Sequence, residues 1–129
     1  MTESDIKAVA LEALRVRITK VMPAQIKSCL DQLNEEQLWW RPNQQSNSVG
    51  NLTLHLCGAV QHFLNRGVGG QEYTRDRPAE FSTTSMSKAK LEEILDETIA
   101  RADQTFANLD PSRLSAPSTE MWRALRGSD

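Results

Sequence analysis

The residues of this chain best suited to chemistry are two histidines, His55 and His62, in the stretch WWRPNQQSNSVGNLTLHLCGAVQHF at positions 39–63. An imidazole can ligate a metal ion or act as a base near neutral pH. A lone helical histidine is also at home as a hydrogen-bonded residue at the rim of a core. Gly58 and Ala59 border His55 with small residues that leave space beside it. His62 does not extend the site: seven residues on, it stands two turns away, about 10.5 Å along a helix axis. Residues three or four apart can meet at one ion; residues seven apart need strongly bent side chains to do so. Cys57 lies about 160° around the helix from His55, which argues against a Cys-His nucleophilic pair.

Glu72, Arg75, Asp76 and Glu80 sit in the connection that follows. They can fold over the end of a helix bundle toward a substrate, or pair with one another and pin the loop. The glycines of GVGG lack a preceding strand and a following Gly-Lys-Ser/Thr, so they do not make a phosphate loop. With no GxSxG or HExxH signature present, no catalytic or cofactor-binding residue is assigned.

The elements that must position these residues read as helices. From Glu3 to Leu33 the apolar residues Ile6, Val9, Leu14, Ile18, Met22, Ile26 and Leu30 recur mostly at spacings of three and four, the pattern of an amphipathic helix. Pro23 removes a backbone hydrogen bond and crowds the preceding turn, predicting a kink or break near Lys20 to Met22. Leu38, Trp39 and Trp40 form an apolar knot before Arg41-Pro42, with the indoles expected across the end of a bundle. Asn47 or Ser48 can cap a second helix running to about Arg66. Its apolar arc of Val49, Leu52, Leu56, Ala59, Val60 and Phe63 should face the core, with His55 and His62 together at the edge. Gly67 is placed to end it in the left-handed conformation.

Residues 67–85 read as a long connection without helical period, of a length that is usually functional or wraps a surface. A third helix carries Leu91, Leu95, Ile99, Ala102 and Phe106 on one face, capped by Ser85 or Ser87 and closed by Asp110-Pro111. Beyond it, Ser118 or Thr119 can begin a turn or two bearing Met121, Trp122 and Leu125. No stretch alternates with period two, so the fold class is all-α.

A length of 129 residues suits one domain, residues 1–129, with its long loop at 67–85 and a divergent tail at 115–129. A net charge of −2 and the absence of a basic cluster argue against nucleic acid as a partner. No apolar run is long enough to span a membrane, and the N-terminus lacks the pattern of a signal peptide, so no membrane role and a cytoplasmic location are expected. Cys29 and Cys57 are not arranged as CxxC and read as two reduced, buried thiols.

The segment LNEEQLWWRPNQQSNSVGNLTLHLCG, followed by GVGGQEYTRDRPAEF, resembles the first half of a DinB-like protein of an uncharacterised bacterial branch, over roughly Ile6 to Leu114. The resemblance implies an antiparallel four-helix bundle with unusual connectivity, often dimeric. Better-known relatives are metal-dependent transferases that use low-molecular-weight thiols such as bacillithiol or mycothiol, with zinc or nickel held by three histidines. By resemblance His55 matches the first of these ligands. The other two come from a final helix with an HxxxH spacing, which this chain lacks; His62 receives no ligand role. The expectation is therefore three long helices, with the fourth missing or replaced by a short C-terminal turn.

An apolar groove left open by that helix predicts a homo-oligomer, most simply a dimer, or else cover by the Met121-Trp122-Leu125 tail. Two functions follow. One is a non-catalytic binding or assembly module with an incomplete metal site and room for a small-molecule ligand. The other is a metal-dependent thiol S-transferase whose zinc or nickel site is completed across a subunit interface. Ligand number favours the first.

Overall fold

The structure of the chain, a computed structural model, describes residues 1–115, which are helical throughout their regular elements with no strand among them. The turn expected to carry Met121, Trp122 and Leu125 lies outside the described residues.

Helix α1 (Glu3–Val16) begins at Thr2, whose hydroxyl accepts from the Asp5 amide while the Asp5 carboxylate accepts from the Thr2 amide. These exchanges satisfy amides that the first turn leaves without helical partners. The helix then widens into a π-helical segment, Arg17–Val21, and continues as α2 (Met22–Asp31). Here the strain of Pro23 is absorbed without a break. A proline crowds the carbonyl four residues back, and the wider π turn ahead of it makes the room.

Helix α3 (Glu35–Leu38) is a single turn with an Asn34–Gln37 capping box, and α4 (Val49–Ala59) starts at Ser48 and runs on as a second π-helical segment, Val60–Arg66. Within the connection expected to be structureless lies α5 (Arg77–Ser82), capped by Asp76 and opened by Pro78. Helix α6 (Lys88–Asn108), capped by Ser87, is the central element: it packs against α1, α2, α4 and both π segments. A 3-10 turn, Pro111–Ser115, returns to α1, where Lys7 Nζ donates to Ser115 Oγ at 2.8 Å.

The apolar centre is Leu30, Leu38 and Leu91, each fully buried, with Ile26, Leu54, Trp39 and Met86 packed around them. Trp39 lies across the end of the helices as expected, with its indole N–H donating to the Met86 carbonyl at 3.0 Å. Gly50 is what lets the ring sit on α4, because a Cβ there would stand 2.7 Å from it. Trp40, expected beside it, is instead 65% exposed.

Three further expectations are corrected. Gly67 has a helical φ of −65°, and the left-handed turn falls at Gly70, φ +69°. Cys29 is exposed and only Cys57 is buried. The apolar arc of α4 is not its buried face: Val49, Leu52, Leu56 and Phe63 are 38–47% exposed. What is buried is Gly50, Asn51, Thr53, Cys57 and Gly58, then Gln61, His62 and Asn65 beyond.

The cause is what lies on top of the helix. Part of α4 is covered by α5 and the irregular chain around it, whose carbonyls need donors when they leave water. The π segment adds a second effect. Its extra residue per turn shifts the phase of everything after Val60, so His62 enters the interior while His55 stays at the rim. No described helix is long and apolar enough to cross a membrane.

Candidate functional site

Two polar clusters tie the connection to α4. The first is centred on Asn51, which is fully buried. Its Oδ1 accepts from the Ser48 amide, the Ser48 hydroxyl and Arg41 Nη2, and its Nδ2 donates to the carbonyls of Glu80 and Thr83. Arg41 Nη2 also donates to the Phe81 carbonyl. The side chains before and inside the first turn of α4 thus hold the C-terminal half of α5 through its backbone.

The second cluster holds His55. Arg75 and Glu80 form a two-point ion pair, Nε to Oε2 at 2.9 Å and Nη2 to Oε1 at 3.0 Å, with side chains only 11% and 7% exposed. Buried charges of this kind are tolerable because each is paired and hydrogen-bonded. Against this pair lies His55, its Nδ1 3.1 Å from Glu80 Oε1 and 3.3 Å from Arg75 Nη2.

The closer neighbour is a carboxylate, so the arrangement favours the tautomer in which Nδ1–H donates to Glu80 and Nε2 keeps its lone pair. Phe81 covers the ring, with centroids 5.0 Å apart. Gly58 is required for this approach, since a Cβ at that position would fall 1.8 Å from Glu80 Oε2. The result is an imidazole one-third exposed, oriented by a carboxylate, and able to offer Nε2 to a proton, a hydrogen-bond donor or a metal ion.

Of the residues singled out from sequence, His55, Arg75 and Glu80 come together. Asp76 is diverted to capping α5, its carboxylate accepting from the Ala79 amide at 3.2 Å. His62 is 4% exposed and is not gathered with His55. Cys57 is buried, with its thiol held above the ordinary range chiefly by burial and further by the charge of Glu80, against a lowering hydrogen bond to Thr98. It is thereby kept as a thiol rather than a nucleophilic thiolate. Sequence reasoning did not single out Asn51; the cue was the Ser48-x-x-Asn51 spacing, in which Asn51 returns a hydrogen bond to the capping residue.

A resident zinc would need three protein ligands and an open position. Among the described residues no group of three His, Cys, Asp or Glu side chains is placed to hold a metal ion. The described part of one chain therefore does not fit such a centre, and no chemical step is derived through one.

A capped helix bearing one carboxylate-oriented histidine, clamped under a short helix in the following connection, is the architecture on which the sequence resemblance can be judged. The family model of the DinB superfamily matches residues 19–126, and the chain belongs to that superfamily. No curated protein and no solved structure matches the chain.

Proposed function

We propose that this DinB-superfamily chain is a non-catalytic binding or assembly module that works as a homo-oligomer, most simply a dimer. The observation that carries the reading is the apolar face of α4. Leu52, Leu56 and Met22 are each close to half exposed and border two apolar hollows that separate α4 from α2, of about 100 and 280 Å³. Ile26 and Leu56 line both, so the two form one groove. Continuous exposed apolar surface of this kind favours association. A second copy offers the same apolar surface in return, as a two-fold interface requires. In this reading His55 is a structural anchor for Arg75 and Glu80, and neither zinc nor nickel is part of the protein.

Sedimentation equilibrium of untagged protein at micromolar concentration is the test. A concentration-dependent dimer is expected, and a compact soluble monomer throughout the range overturns the proposal.

One observation favours a second reading, a metal-dependent thiol S-transferase with its site completed by another subunit. The Glu80 contact at Nδ1 of His55 is the outer support that metal-binding histidines commonly have, with Nε2 left over. Elemental analysis of untagged protein separates the two. About one zinc or nickel per chain, lost in His55→Ala, selects the transferase; metal-free dimers select the assembly module.

A further inference from the structure

Next to the groove, which it meets at Cys57 and Thr98, a hollow of about 370 Å³ opens between α4, the chain around α5, and α6. That volume lies in the range of pockets that enclose small organic ligands. We infer that this hollow binds a small amphipathic amine carrying a hydrogen-bond acceptor.

Three features of the lining point to that chemistry. The inner wall is apolar, with Leu54, Met86 and Ile94 available to an aliphatic or aromatic body. Gln61 also lines it and is 5% exposed. Its Oε1 accepts from Asn65 Nδ2 at 2.8 Å, which orients the amide. Its Nε2 makes no hydrogen bond to a described residue and stays open to the hollow, so a donor is left for an acceptor on the ligand.

The third feature is charge. Asp76, Glu80 and Glu97 line the hollow with Arg101 as the one cation among its lining residues. Glu80 is already met by Arg75. Arg101 donates to two neutral acceptors, Gln71 Oε1 and the Glu72 carbonyl, and so keeps its charge and offsets one of the two remaining carboxylates. Asp76 and Glu97, both exposed at the rim, therefore outweigh Arg101 by one charge and leave a weakly negative mouth above the Gln61 amide donor. An ammonium group at the mouth and an acceptor at Gln61 satisfy both at once. The hollow shares only Cys57 and Thr98 with the groove and none of the exposed apolar residues on which the assembly surface rests, so separate substitutions test the two.

The test is an NMR titration of the intact chain with L-phenylalaninamide at about pH 6, where its amine is charged, against 3-phenylpropanamide, which keeps the ring and amide but has no amine. Saturable shifts at the Gln61 side-chain amide and at Gly58 are expected with the first probe, with binding of the second several-fold weaker. Glu97→Gln, a surface change that preserves shape, should weaken the amine by roughly two- to fivefold, the size of a lost exposed charge contact, and leave the uncharged probe unaffected. Gln61→Leu should weaken both probes. Equal affinity for the two probes, no effect of Glu97→Gln, or no saturation by 10 mM would overturn the inference. Leu52→Glu, on the groove, should leave these titrations unchanged.

Discussion

The two sides of α4 are built from opposite materials. Toward α5 and α6 the helix and its π continuation present Asn51, Cys57, Gly58, Gln61 and Asn65, all buried, whereas on the other side Val49, Leu52, Leu56 and Phe63 are more than a third exposed. Hydrophobicity alone would reverse this arrangement. The difference shows what the buried side has to do, which is to satisfy a length of irregular backbone rather than to exclude water from side chains.

The carbonyls of Glu80 and Thr83 take their hydrogen bonds from Asn51, and that of Glu72 takes one from Arg101. Nearby, Gln71 bridges the Arg101 carbonyl and Thr105 Oγ1, which in turn donates to Asn65 Oδ1. A polar interface of this type is specific because its donors and acceptors meet only in one arrangement of the two elements. The apolar face has no such specificity and can accept a partner.

The sharpest way to break the polar side is Asn51→Ala. At a fully buried position it takes the Asn51 partner from the Ser48 hydroxyl and the Glu80 carbonyl, and one of several hydrogen bonds from Arg41 and the Thr83 carbonyl. A loss of about 3 kcal/mol or more is expected, because buried groups left unsatisfied pay their full desolvation penalty. Urea unfolding measures it; a loss under about 1 kcal/mol would mean that water or rearrangement replaces the network. Gly50→Ala probes the same side by sterics alone. Its methyl would meet the Trp39 ring, so the helix gain of alanine is outweighed by overpacking, for a net cost of about 1–2 kcal/mol. A stabilised Gly50→Ala protein would show that Trp39 yields freely.

Much of the frame was readable from sequence because caps and long periodic runs are local signals. Ser48, Ser87 and the Asp110-Pro111 stop bound α4 and α6 within a residue or two of where they were expected. Six residues of α5 are too few to display a helical period, and only Asp76 followed by Pro78 marked its start. Pro23 marked a distortion where the first π segment falls, whereas the second has no local signature in a pattern read at 3.6 residues per turn, and the phase shift after Val60 is why His62 and Phe63 exchanged environments.

For the site, residue types pointed to His55, and the Arg75–Glu80 pairing was one of two readings of the loop charges. Their convergence on one imidazole was out of reach, since it depends on the connection folding back over Gly58, a contact between positions more than 20 residues apart.

On the apolar side, Leu52→Glu should leave stability within about 1 kcal/mol, because the side chain is 47% exposed and a carboxylate near a helix start is favourable. Its effect should appear in association instead, with sedimentation velocity showing only monomer at concentrations where the parent protein dimerises. Unfolding of Leu52→Glu comparable to that of Asn51→Ala would erase the distinction between the two faces.

The smallest expected effect is a pH dependence on the buried side. The Cys57 thiol is raised above its ordinary value of 9.0 mainly by burial, and Tyr73 is raised above 10.0 for the same leading reason. A raised native value means that the unfolded chain gives up the proton first. The contribution is therefore full below about pH 9 and is lost as pH rises through the native value. Urea midpoints between pH 7 and 10 should fall more steeply for the parent protein than for Cys57→Ala, which keeps the Tyr73 part alone. Parallel curves would mean that Cys57 ionises as freely in the fold as in the open chain, and that the face of α4 packed under α5 is wetter than its hydrogen bonds imply.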